Sequence, residues 1–294
     1  VKATHVIDPV LLDNAATFTD PFFQRFHLRP AAAPLDLDGT IAKDYLFPTF
    51  YGDVTCAQAI FLCPWERAYS LMPHPLMKPV RMPGGRALVV FSCYEYRKVL
   101  GVAPYNEIAM TIPLLLDPDV SVPLLPLLWP GYPGFGYYVF SMPVTSLENR
   151  IRGHKIWGLP KVVQDIDIDT LNGDNVTVAL DDEGRRYFEL RVPRTGKPTR
   201  FQQDAWLFTR LGDTLKRSRT SFEGTFQVNK NMGLLLRPGT PPAHPTLVLT
   251  DSPAADVLRG LAIDPVPFQT RYAERMSSCF DLPDPAFQAP VTFR

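Results

Sequence analysis

The chain of 294 residues has no excess of charge of either sign: 30 Lys and Arg balance 30 Asp and Glu. That balance gives no electrostatic reason to bind nucleic acid or an anionic membrane surface. No run of about 18 apolar residues occurs, so no membrane-spanning helix is predicted. Cysteine is scarce: Cys56, Cys63, Cys93 and Cys279 form no CxxC pair. With the histidines scattered, this argues against zinc and for reduced, buried thiols. G-x-S-x-G, H-E-x-x-H and the P-loop are all missing, which removes three large enzyme classes. Gly131-Tyr-Pro-Gly134-Phe-Gly136 lacks dinucleotide-binding spacing and reads as a tight turn. The opening Val1-Lys-Ala-Thr-His has no apolar signal core, so a cytoplasmic protein is expected. Asn175-Val-Thr177 fits a glycosylation triplet but, on that expectation, reads as a turn.

Proline, by contrast, is abundant at 31 residues, many within apolar stretches such as Val122-Pro-Leu-Leu-Pro-Leu-Leu-Trp-Pro130. Proline breaks helices and cannot donate to a strand ladder. The composition therefore predicts short strands, edges and ordered loops, with few long helices. Hydrophobic residues at 46% and charged residues at 20% are ordinary for a globular chain.

Residues 1–50 read as an arm with at most one short helix, packed on the body through Phe18, Phe22, Phe23 and Phe26. Val54 to Leu62 reads as a strand. The stretch Pro64 to Met72 reads as a helix that tolerates Pro64 in its first turn and is stopped by Pro73. Arg86 to Tyr96 and Asn106 to Leu116 read as paired strands across a turn containing Gly101 and Pro104. Segment 117–134 reads as a loop and Gly136 to Val144 as a strand. Thr145-Ser-Leu-Glu148 has the form of a capping box, opening a short helix to about Lys155. Val162 to Ile168 reads as one strand. Two further strands flank the turn Asp181-Asp-Glu-Gly-Arg185. Later strands are predicted near 204–211, 221–230, 245–250 and 268–280, with a short helix from Pro253 to Leu261. The pattern is an all-β or β-rich α+β fold in one body, residues 51–294, behind the arm.

The stretch that carries chemistry is Gly153-His-Lys-Ile-Trp-Gly-Leu-Pro-Lys161. A capped helix ends, a tight Trp-Gly-Leu-Pro turn follows, and a lysine opens a strand among apolar neighbours. Inside a barrel that lysine would be kept from water. Desolvation disfavours an ammonium and leaves more free amine. A free amine attacks a ketone. At the surface, the same lysine would simply snorkel into solvent.

This segment resembles the signature of the acetoacetate decarboxylase superfamily, in which a glycine, a polar pair, an apolar run and Pro-Lys bring in a Schiff-base lysine. Pro104-Tyr-Asn-Glu107 resembles the family's Tyr-x-Glu, which places a carboxylate in the site. The run Val54–Tyr96 resembles its early core. The resemblance spans roughly residues 50 to 250. It implies a mostly antiparallel α+β fold, a cone-like β-barrel with the lysine inside, often in homo-oligomers. It also implies chemistry with no metal or organic cofactor. Lys161 and Glu107 are then the expected catalytic residues, with Tyr105, Trp157 and Arg97 expected to meet the substrate. Arg86 and Arg150 stay open as alternatives to Arg97 for binding a carboxylate.

The sequence departs from the decarboxylases themselves in three places. They carry a second lysine directly after the nucleophile, where Val162 stands here. Their Gly-Arg-Glu reads Gly153-His154-Lys155. A second acidic residue expected on the strand before Tyr-x-Glu falls at Ser92, with Glu95 on the opposite face. Desolvation must therefore carry more of the activation, unless Arg152, His154 or Lys155 lies close in space. The expected function is a Schiff-base lyase that decarboxylates a β-keto acid or related keto acid. The alternatives are aldolase or dehydratase chemistry on pyruvate-like substrates through the same lysine, and a barrel that binds or cyclises a small molecule without covalent chemistry.

Overall fold

A computed structural model of the protein describes residues 1–118, 122–129 and 131–287. The β-branched and aromatic runs of the first half form strands β1 (Thr49–Pro64), β2 (Arg86–Val99), β3 (Tyr105–Leu116) and β4 (Phe135–Val144). The second half adds β5 (Lys161–Val163), β6 (Ile166–Leu171), β7 (Asp174–Leu180) and β8 (Arg186–Pro193). It ends with β9 (Lys197–Leu211), β10 (Thr214–Lys230), β11 (Leu247–Leu249) and β12 (Gln269–Pro283). The helices are short, as the proline content requires; α1 (Trp65–Ser70) and α2 (Leu147–Arg152) matter most.

The main sheet runs β4-β9-β10-β12-β1-β2-β3, and β3 pairs back onto β4, closing a seven-strand barrel. The β4–β9 contact is parallel and the other contacts around the ring are antiparallel. Closure removes the free edges that would otherwise recruit other chains. Strand β5 lies outside the ring, parallel to β4, with Lys161 opposite Met142.

Side chains alternate across each strand, so neighbours along β1 serve two different cores. Ala57, Ala59 and Phe61 face outward, with Phe91 of β2 and Ile108 and Met110 of β3. They pack on a second sheet, β6-β7-β8-β11, through residues such as Phe188 and Leu190. Gln58 on β1 and Ser92 and Tyr94 on β2 face the barrel interior instead. Strands β1 to β3 are thus covered on both sides, which is why their sequences read as near-continuous apolar runs.

Aromatics near the N-terminus form a cluster with β1 and β12. Phe18 and Phe23 meet edge to face at 5.1 Å, and with Phe22 they bury Phe50, Leu100 and Cys279. Five expectations need correction. Asn175-Val-Thr177 is no turn but part of β7, with Asn175 and Thr177 buried. The run Val162–Ile168 is two strands, because the chain leaves the barrel at Gln164 and Asp165 and enters the second sheet. Asp165 Oδ1 accepts the Ala3 amide and its carbonyl accepts the Leu180 amide, so it cannot continue one ladder. The helix cap is Ser146, whose Oγ accepts the Asn149 amide, while the Thr145 hydroxyl accepts the Asn106 amide from β3. Glu148 does not reach back to a cap; it takes Lys43 at 2.9 Å and the Tyr45 hydroxyl at 2.5 Å in a buried cluster. Finally, residues 253–261 split into a 3-10 turn, Pro253–Ala255, and a helix, Asp256–Gly260. The loop at 117–134 contains a helical turn, Leu125–Leu128; residues 119–121 and 130 lie outside the described residues. Among the described residues no helix is long and apolar enough to cross a membrane.

Candidate active site

Lys161 is delivered to the interior by a stop, a turn and a register. Helix α2 runs on into a π-helical turn, Gly153–Trp157, which Gly158 ends with φ +68°. No other residue fits at 158: a Cβ there would stand 2.4 Å from the Arg210 carbonyl oxygen, and the left-handed backbone itself disfavours side chains. The Leu159 amide donates to the Gly153 carbonyl, Pro160 fixes the next step, and Lys161 starts β5. Alternation along β5 turns Lys161 inward and leaves Val162 45% exposed on the other face.

Gly153 has a second task. A Cβ there would lie 2.5 Å from Cδ of Lys161 and 2.9 Å from its Cε. The lysine stem therefore runs directly over the bare α-carbon of Gly153. Trp157 is held by its indole N–H donating to the Asp281 carbonyl at 2.8 Å and by stacking on Phe280 at 5.0 Å. The Thr209 hydroxyl donates to the Trp157 carbonyl, which ties the turn to β9.

The lysine amine donates to Glu107 Oε2 at 2.6 Å, and both side chains are buried, 5% and 7% exposed. Burial is the largest influence on Lys161 and pushes its pKa below the ordinary lysine value. The Glu107 carboxylate works against this, by charge and by hydrogen bond. The Arg152 guanidinium works with it, as a like charge that disfavours the ammonium. Arg152 is itself 1% exposed, held at 3.0 Å from the Thr49 hydroxyl and 4.2 Å over the Tyr45 ring. It supplies the cation that Val162, facing the other way, does not.

Tyrosines surround the carboxylate. The Tyr96 hydroxyl donates to Glu107 Oε1 at 3.3 Å. Its ring stacks on Tyr94 at 5.2 Å and packs against Tyr51 at 4.6 Å and Tyr105 at 4.9 Å. Burial raises all four phenols, Tyr51 to about 12, so they stay neutral at pH 7 and can only donate or accept protons through hydrogen bonds. Lys161 Nζ also sits 5.6 Å from the Tyr105 ring centre.

These groups open on an internal cavity of about 140 Å³. That is close to the roughly 150 Å³ engineered cavity that accepts benzene, so it suits the reacting end of a small organic ligand. Its walls include Lys161, Glu107, Trp157, Tyr96, Met142 and Arg271. Of the residues expected from sequence, Lys161, Glu107 and Trp157 face this space, and Tyr105 packs just behind it. Arg97 does not reach it. Its guanidinium is on the outside, bound to Glu95 at 2.6 Å, the Thr55 hydroxyl at 2.7 Å and Asp53 at 3.2 Å. Parity explains the miss: Tyr94 and Tyr96 face inward, so Arg97 and Glu95 face away. Arg150 is exposed, and Arg86 is tied to the Pro83 and Leu235 carbonyls. The arginine in the cavity wall is Arg271 of β12, which no local signal in the sequence marks.

A mostly apolar cavity with a depressed amine, a carboxylate at hydrogen-bond distance and neutral phenols is equipped for nucleophilic attack with proton transfer. The family description "Acetoacetate decarboxylase (ADC)" matches residues 32–211, which include Lys161, Glu107, Arg152 and the four tyrosines, while Arg271 of β12 lies beyond the match. The chain belongs to the acetoacetate decarboxylase family. No curated protein matches it in sequence. Solved structures match in fold. Acetoacetate decarboxylase from Legionella pneumophila subsp. pneumophila str. Philadelphia 1 aligns at TM-score 0.60 and 13% identity, covering 86% of this chain and 91% of that one. A second acetoacetate decarboxylase aligns at TM-score 0.55 and 12% identity, covering 80% and 87%. The enduracididine biosynthesis enzyme MppR, solved with the condensation product of pyruvate and imidazole 4-carboxaldehyde, aligns at TM-score 0.50 and 14% identity, covering 86% and 95%. As a divergent acetoacetate decarboxylase family member, the chain keeps the barrel at identities that carry the fold alone.

Proposed function

We propose that this acetoacetate decarboxylase-like protein is a lyase that forms a Schiff base between Lys161 and a β-keto acid or related keto acid and decarboxylates it. The observation that carries the reading is the buried contact of Lys161 Nζ with Glu107 at 2.6 Å, on the wall of a cavity of substrate size. The neutral amine attacks the carbonyl carbon, and Glu107 and its phenol partner pass protons to and from the carbinolamine. Water leaves and an iminium remains. The bond to the carboxylate carbon then breaks, its electron pair moves into the iminium, and CO2 departs. The enamine takes a proton on carbon. Hydrolysis frees the ketone and restores the amine.

Borohydride reduction in the presence of acetoacetate or pyruvate tests this directly. A covalent mass increase on Lys161, absent in Lys161→Gln, is expected. No adduct across a broad panel of keto acids would leave non-covalent binding as the reading. Condensation of a pyruvate-like substrate with an aldehyde is the second reading. It is favoured by an outer vestibule, continuous with the cavity, that has room for a second reactant. CO2 release from acetoacetate separates the first from enone formation with pyruvate and an aldehyde.

A further inference from the structure

The cavity has two polar ends. One is Lys161 with Glu107. The other is Arg271, on β12 opposite Gln58 of β1. Gln58 stands opposite Ser92, and Ser92 opposite Ala109, so one inward-facing row runs across four strands to within two residues of Glu107. From Glu107 to Arg271 the wall path is about 16 Å, from three strand spacings and a two-residue step.

Arg271 has an unusual environment for a guanidinium. Its Nε is out of contact with water and, among the described residues, has no hydrogen-bond partner. The guanidinium lies 4.8 Å over the Phe201 ring. The titratable groups that act on it are Tyr137 and Cys56, both neutral at pH 7; no carboxylate does. Lys43 and Lys161 are each met by a carboxylate, Glu148 and Glu107. Arg152, whose Nε is likewise without a partner, at least donates to the Thr49 hydroxyl and the Asn149 side chain. A half-buried guanidinium that faces a cavity and has no anion beside it is a ready partner for a carboxylate, which it can take in a bidentate bond. Gln58, Gln203 and Arg271 line both the inner cavity and the outer vestibule, so this end is the passage between them.

The separation of the two ends selects the substrate. About 16 Å of barrel wall lies between Glu107, the partner of the amine, and Arg271. Across that span the Arg271 side chain does not reach the carboxylate one carbon from the carbonyl. It should not hold that one in any case, because a cation paired to a departing carboxylate stabilises the ground state and opposes loss of CO2. We infer that Arg271 anchors a second, retained carboxylate, so the substrate class is a keto acid with a further carboxylate several bonds from the reacting carbonyl.

This rests on the Schiff-base role of Lys161, so the test has two arms. The first measures borohydride-trapped adduct on Lys161 against concentration for 6-oxoheptanoate and for 2-heptanone, its neutral counterpart. The wild type should half-saturate at lower concentration with the acid. Arg271→Gln should raise the half-saturation for the acid by about 10- to 100-fold, the scale of a lost charged hydrogen bond, and erase the preference over the ketone. Arg271→Lys should restore part of it. The second arm titrates 6-oxoheptanoate calorimetrically into Lys161→Gln and into Lys161→Gln with Arg271→Gln, where no covalent step can occur. Binding lost only in the double variant supports the anion site even if wild type yields no adduct. Equal binding by both proteins, or an unchanged preference in Arg271→Gln, would overturn the inference. Melting temperature controls for folding, and it should hold in Arg271→Gln.

Discussion

Replacing Gly153 with alanine tests the site at its tightest point. The backbone there is helical, φ −56° and ψ −46°, so alanine is welcome and contributes about 1 kcal/mol relative to glycine in a helix. The added methyl would lie 2.5 Å from Cδ of Lys161 and 3.1 Å from its Cγ. Carbon atoms rest at about 3.5–4.0 Å, so the lysine stem must retreat by roughly 1 Å. The amine now stands 2.6 Å from Glu107, and the same retreat takes it beyond ordinary hydrogen-bond reach. A misplacement of about 1 Å at a reacting group costs on the order of 100-fold in rate. The expected result is a trapping rate with keto acid reduced about 100-fold, with the melting temperature unchanged or raised by about 2 °C. Trapping at the wild-type rate in Gly153→Ala would show that the stem does not depend on that gap, and the account of the signature glycine would be wrong.

Three other perturbations follow from the same electrostatics. Arg152→Gln removes a like charge from Lys161, so its pKa should rise; trapping at pH 7 should fall and recover at higher pH, seen as an upward shift in the acid limb of the pH profile. Glu107→Gln removes the group that holds the ammonium, so the amine should stay free to lower pH and still be trapped, while turnover drops by about 100- to 10,000-fold for want of the proton carrier. Alkaline stability should decline between pH 9 and 12. The Cys63, Cys93 and Cys279 thiols are pushed by burial from 9.0 to about 12, so in that window the unfolded chain has lost protons that the native state keeps. Native protons in excess mean stability falls as pH rises, by up to about 1.4 kcal/mol per thiol per pH unit. Lys161 has the opposite sign below its ordinary value of 10.5, but it is one group against three. A melting temperature that climbs steadily from pH 9 to 12 would contradict the burial of these thiols.

The chemistry of the site was readable where it is local. Gly153, Gly158, Pro160 and Lys161 lie within nine residues, and each acts on its neighbours through backbone shape. Glu107 was reachable because it opens a strand in a recognisable Tyr-Asn-Glu. Strands β1 to β4 were legible from their apolar runs and from the glycines and prolines that bound them. Parity was the weak step. A single strand shows which residues share a face and not which face is the cavity, so the sequence alone does not set Tyr94 and Tyr96 above Arg97. Arg152 stood in the right segment, but whether its charge reaches Lys161 depends on how α2 sits against β1. Arg271 had no local sign at all: 110 residues separate it in sequence from the lysine whose cavity it shares.

The order of residues along the chain determined the strand runs, the turn that presents Lys161 and the type of chemistry an amine there can perform. Closure of the barrel decided the rest, because only pairing β3 with β4 and β12 with β1 turns separate strands into one enclosure. Hydrophobic patterning acts over a few residues and survives in the sequence. Depression of an amine and the placing of a distant guanidinium depend on burial and separation in space, which arise only when strands far apart in the chain meet.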